Sequence, residues 1–145
     1  MTAVVVDSSV AMKWFVPEPL SEAAVRLLQP SYDLAAPDLL VAEFGNVLWK
    51  KLRRGEIRRE EALEIVAALG EVPLTIVGSA DLLAPALEIA AAYGRTVYDA
   101  LYVALAVARD CVLVTADERL VAALASGPFA RHVGALSSTA WTVGA

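Results

Sequence analysis

VVVDSSVAMKW, residues 4–14, runs three valines directly into Asp7 and then into a segment of helical character. A short β-branched run of this kind reads as a buried strand. The carboxylate at its end has two readings. Asp, Ser and Ser are all good helix N-caps, because a side-chain oxygen accepts an orphan backbone N–H. A carboxylate at the end of a buried strand is also where a parallel sheet places chemistry. The rest of the chain decides between a cap and a cap that also works.

Outward from Asp7, strands and helices alternate. The short helix after Asp7 stops at Pro17 and Pro19, since proline cannot continue it. A second helix opens near Ser21, and YDLAAP (32–37) is a weak strand. The stretch from Asp38 reads as a helix ended by Gly55, and 57–70 as another ended in the same way by Gly70. PLTIVG (73–78) reads as a strand, and 80–94 as a helix with Pro85 near its first turn. TVYDALYVALAVARD (96–110) is the most apolar helix. CVLVTAD (111–117) is a strand, a helix opens at Asp117, and RHVGALSS (131–138) is a last edge strand. Strands alternating with helices predict an α/β fold whose central, mostly parallel sheet is covered on both faces.

Bulk properties narrow the classes. A length of 145 residues suits one domain, residues 1–145, with a core that needs no disulfide or metal staple. The hydrophobic share of 58% exceeds the usual ~45–50% and predicts apolar surface covered by a partner or a second copy. The uncharged run from Ala100 to Ala108 is far short of the ~20 residues a membrane span needs. The valine run has no basic segment before it, unlike a signal peptide. Cys111, the single cysteine, reads as a core residue, and the set fits a reducing cytoplasm. A net charge of −5 argues against a nucleic-acid surface in general, yet residues 50–59 hold six of the twelve basic side chains. That block is either a solvated surface or a local site for a polyanion.

Four carboxylates stand out. Asp7 and Asp117 each end a strand, so they meet if the two strands are neighbours. Asp99 lies in a helix apolar on nearly every face, where a charge needs a partner or a metal. Its alternative is a capping box with Thr96, although that box usually carries Glu or Gln. Glu43 points away from the apolar face formed by Phe44, Leu48 and Leu52 and shares a stripe with Asn46, Lys50 and Arg54. It is either an ordinary exposed glutamate or a carboxylate facing a site with cations further along. Converging carboxylates repel one another and raise their pKa values unless a cation balances them. All-oxygen donors suit Mg²⁺ or Mn²⁺. One histidine, His132, leaves no two-histidine ribonuclease mechanism, and a lone Cys with a lone His does not suit zinc. DSS lacks the second aspartate of a haloacid-dehalogenase-type phosphatase.

VVVDSSV, APDLLVAEFGNVLWK, TVYDALYVALA and VLVTADERL, in this order across residues 3–120, resemble the PIN-domain family and in particular its VapC-type toxin ribonucleases. YDALYVALA is the most specific of the four. The resemblance implies a three-layer α/β/α sandwich, Mg²⁺- or Mn²⁺-dependent cleavage of single-stranded or loop RNA, a homodimer and a cognate VapB-type antitoxin. It implies that Asp7, Glu43, Asp99 and Asp117 form an acidic, metal-holding pocket, steadied by Ser9 and Thr115. Lys50 and Arg54, along the helix from Glu43, are candidate RNA-binding residues; the basic block is not a family signature. An RNA-processing nuclease without an antitoxin has the same site, and a non-catalytic interaction module keeps the fold and uses the acids as caps.

Overall fold

The computed structural model describes residues 1–138 and Trp141; residue 145, where the expected domain ends, lies outside the described residues. Five strands form one sheet in the order β3-β2-β1-β4-β5, with every pair parallel. They are β1 (Thr2–Val6), β2 (Tyr32–Pro37), β3 (Leu74–Val77), β4 (Val112–Thr115) and β5 (Val133–Ala135). The helices between them are α1 (Ser8–Met12), α2 (Ser21–Arg26), α3 (Leu39–Arg53), α4 (Arg59–Glu71), α5 (Leu83–Tyr93), α6 (Val97–Ala108) and α7 (Glu118–Leu124). Parallel strands need right-handed crossovers, so the helices joining β1 to β2 and β2 to β3 cover one face, and α5, α6 and α7 cover the other. The result is the expected three-layer α/β/α sandwich.

Val4, Val5 and Val6 are fully buried, as a central strand between β2 and β4 requires. The weak strand at 32–37 is real, and its last four residues are buried. Its alanines leave room for the helices packed above, which a propensity for bulky β-formers does not register. β3 at the edge keeps none of its residues fully buried. α3 buries Leu40, Phe44 and Leu48 at four-residue spacing and stops at Gly55, whose φ of +70° suits glycine.

Gly70 does not stop α4. The helix runs through it to Glu71 and ends at Val72, which is extended. Pro73 follows, and a residue before proline is driven out of the helical region by the proline ring. α6 carries a continuous buried stretch from Ala100 to Ala106 and packs against β1, β2 and β4. Cys111 is buried, as is His132, whose Nδ1 lies 2.8 Å from the Cys111 carbonyl oxygen; both are structural. No helix among the described residues is long and apolar enough to cross a membrane.

Candidate active site

β1 and β4 lie side by side, with Val6 paired to Val114, yet the chain leaves β1 toward β2 and leaves β4 toward β5. The strand order therefore reverses between them. At such a switch point the loops beyond the strand ends diverge and open a crevice, the usual ligand site of an open parallel sheet. Asp7 follows β1 directly, and Thr115 and Asp117 stand at and just past the end of β4.

Asp7 is both a cap and more than a cap. Its Oδ1 accepts from the Val10 N–H at 3.2 Å, which opens α1, and from the Ser9 hydroxyl at 2.6 Å. Its Oδ2 accepts from the Thr115 hydroxyl at 2.5 Å. Both hydroxyls also reach β4's exit: Ser9 Oγ accepts from the Ala116 N–H at 3.3 Å and Thr115 Oγ1 from the Asp117 N–H at 3.0 Å. Two hydroxyls thus stitch the strand ends together and fix the Asp7 carboxylate. Burial nevertheless pushes the Asp7 carboxyl above its ordinary range, with repulsion from Asp117 adding to it, against the lowering effect of Ser9, Thr115 and the Val10 N–H.

Asp117 caps α7 through Oδ1, which accepts from the Arg119 and Leu120 N–H groups at 3.0 and 3.3 Å. Its other oxygen faces Arg95 at 3.7 Å. Asp99 does not complete a capping box. Thr96 Oγ1 accepts from the Asp99 N–H at 3.1 Å, but the Asp99 carboxylate turns to the Arg95 guanidinium at 3.0 Å. Its charge is one-third exposed at the mouth of α6 and balanced by Arg95. Glu43 is not an ordinary surface glutamate. It is half-buried and accepts from the Tyr102 hydroxyl at 2.5 Å. Desolvation raises its pKa, Tyr102 lowers it, and repulsion from Asp7 and Asp99 raises it further. The Tyr102 phenol is pushed far up by burial and by its bond to Glu43.

Repulsion links Asp7 to Glu43 and to Asp117, and Asp99 to Glu43, while Arg95 stands between Asp99 and Asp117. Among the described residues no three acidic, histidine or cysteine side chains are gathered tightly enough to hold an ion as they stand. In kind the donor set fits a hard divalent cation: carboxylate oxygens only, two of them disfavoured as anions without a cation.

Sequence reasoning missed Arg95 and Tyr102. Tyr102 had a signal: a phenol inside a buried apolar run needs a hydrogen-bond partner, and spacing of three from Asp99 puts it on the same face. The basic block divides. Lys51 is drawn to Glu18 at 3.3 Å and Arg58 to Glu61 at 3.0 Å. Lys50 and Arg54 line a shallow cleft with Arg53 and Trp49; Trp49 is 49% exposed and the Arg53 guanidinium lies 5.0 Å from its ring centre.

The family model for the PIN domain matches residues 4–125. Ribonuclease VapC3 of Pyrobaculum aerophilum is 40% identical over 118 residues, covering 80% of this chain and 90% of that protein. Among solved structures, PAE2754 from Pyrobaculum aerophilum superposes with a TM-score of 0.65 at 23% identity, over 93% of this chain and 91% of the other. A toxin–antitoxin complex from Klebsiella pneumoniae gives a TM-score of 0.65 at 16% identity, over 92% and 97%. From the acids at the β1–β4 switch point and these likenesses, the chain belongs to the PIN-domain family, among its VapC-type members.

Proposed function

We propose that the protein is a metal-dependent endoribonuclease, the toxin of a VapBC-type toxin–antitoxin pair, cutting single-stranded or loop RNA. The observation that carries this reading is the meeting of Asp7 and Asp117 at the switch point, joined through Thr115 and flanked by Asp99 and Glu43. The 40% identity to a ribonuclease of this type supports the choice of RNA, and the likeness to a toxin–antitoxin complex supports an antitoxin partner. A bound Mg²⁺ or Mn²⁺ would supply Lewis acidity and a water ionised near neutral pH.

The chain's own residues do the rest. Asp7, Asp99, Asp117 and Glu43 would hold the ion. Ser9 and Thr115 keep Asp7 in one orientation, so no rotamer freedom is lost when the site fills. Tyr102 does the same for Glu43. Glu43, disfavoured as an anion by burial and by Asp7 and Asp99, is relieved by a cation at the site. Lys50 and Arg54 neutralise phosphates further along the strand, and Trp49 offers a face on which a base stacks. Single strands and loops are favoured because their backbone and bases can be splayed into such a crevice. The apolar excess is covered in a homodimer and by the antitoxin, and the site of action is the cytoplasm.

The test is digestion of total RNA with Mg²⁺ or Mn²⁺, with the ends mapped. Asp7→Asn keeps the side-chain volume and the α1 cap but removes a charge from the ion's site. It should fold and lose cleavage by at least about 100-fold, in the range seen for lost electrostatic groups. Retention of most activity would remove Asp7 from the reaction. Cleavage unaffected by chelation would remove the metal.

A further inference from the structure

Arg95 is the cation at this site that the family reading leaves without a role. Its backbone is pinned on both sides: Gly94, at φ +65°, ends α5, and Thr96 caps α6. Its side chain is committed far less firmly. One nitrogen, Nη2, serves both Asp99 at 3.0 Å and Asp117 at 3.7 Å, so neither carboxylate takes the two-pronged grip that guanidinium offers. Its Nε is buried with no hydrogen-bond partner among the described residues. An arginine built only as a permanent lock would not leave a buried donor unmet, since such a donor carries a desolvation penalty. Beside it opens a cleft of about 850 Å³ whose charged walls are Arg95, Lys13 and Arg119 on one side of the balance and Asp117 and Glu118 on the other.

We propose that Arg95 is a resident counter-cation that shares Asp99 and Asp117 with the divalent ion. Without the ion it spans the two carboxylates and offsets their repulsion. When the ion is held, Arg95 gives up both carboxylates and turns into the open cleft, where Glu118 is the acid on its wall. The proposal explains why the acids are not drawn to a single point: two of the four are already engaged by a guanidinium. It rests on the metal-dependent reading above and deepens it, making the affinity for the ion a competition set within this chain.

The test is isothermal titration of the full-length protein with Mn²⁺ alone, with no RNA and no activity readout. Arg95→Gln and Arg95→Met remove the competitor, and having two uncharged variants guards against one failing to fold. Each should bind Mn²⁺ about fivefold or more tightly than the wild type, near the upper worth of a part-exposed ion pair. Arg95→Lys, which keeps the charge, should stay within about twofold. A merely structural Arg95 predicts the opposite, because loosening the carboxylates weakens binding. Equal or weaker Mn²⁺ binding by both uncharged variants, with a wild type that does bind, overturns the sharing and leaves the metal reading intact. No binding by the wild type or by any variant at millimolar Mn²⁺ overturns both.

Discussion

Glu43 and Asp7 place a measurable cost on the folded state. Each has its carboxyl pushed up on folding, chiefly by burial. A glutamate in the unfolded chain titrates near ~4.3. Between that value and the raised folded one, the folded protein binds more protons than the unfolded chain, so stability falls as pH rises through this window. Below ~4 the penalty is absent, and above the folded value it is present in full. Glu43→Gln removes the charge and leaves an oxygen for the Tyr102 hydroxyl. The melting temperature of the metal-free variant should therefore exceed the wild type by roughly 1–2 °C at pH 7, a small shift because the carboxylate is only half-buried. The gain should vanish near pH 4; melts across pH 4–8 check it, and a gain that grows on acidification would contradict the sign. Asp99 differs, because Arg95 balances it and its loss leaves that guanidinium without its nearer partner. Asp7, Asp117 and Asp99 stood out in the sequence because a carboxylate is unusual at a strand end or in an apolar helix; Glu43 stood out only by its place on a polar stripe with cations. Arg95 was not legible: it sits in a short linker between a glycine and a cap, where an arginine looks like solvent-facing chain.

At the scale of elements, α3 carries one polar stripe, with Glu43 near its start and Lys50 and Arg54 at its end, where cations also complement the helix dipole. If these two touch phosphate, the Lys50→Ala, Arg54→Ala double variant should bind single-stranded RNA more weakly without moving the cleavage position. Its slope of log affinity against log salt should shrink by about 0.7 for each phosphate no longer neutralised. An unchanged slope in filter binding would assign the stripe to a protein partner or to solubility. The order of elements was readable because strands and helices change period at each boundary. α4's end was misread for a local reason. Gly70 looked like a stop, but glycine only permits a stop, whereas Pro73 forces one on the residue before it. The neighbouring of β1 and β4 was a condition rather than a reading, since no local pattern fixes which strands pair.

For the molecule as a whole, the apolar excess has places to go. Leu83 and Leu87 on α5 are more than half exposed, and beside them Ile89, Tyr93, Val107 and Phe129 line an apolar groove of about 540 Å³. Leu63 and Val66 are similarly exposed on α4. Light scattering at micromolar concentration should report about twice the 15.3 kDa chain mass, and Leu87→Glu should shift the population toward monomer. A wild type at the monomer mass would leave the α5 surface without a second copy. The seam between β1 and β4 has a consequence of another kind. The bond from Thr115 to Asp7 spans 108 positions of chain, so the crevice is among the least local features of the fold. Pairings of long sequence separation form late, because the loop they close must first be ordered. During synthesis, Asp7 emerges early, with only its local partners Ser9 and Val10, and waits through most of translation for the Thr115 hydroxyl that engages its other oxygen. A ribosome stalled before residue 115 carries a chain without Thr115 or Asp117. On the proposed reading, a chain that cuts RNA is thus unarmed while the ribosome is still reading the message that encodes it.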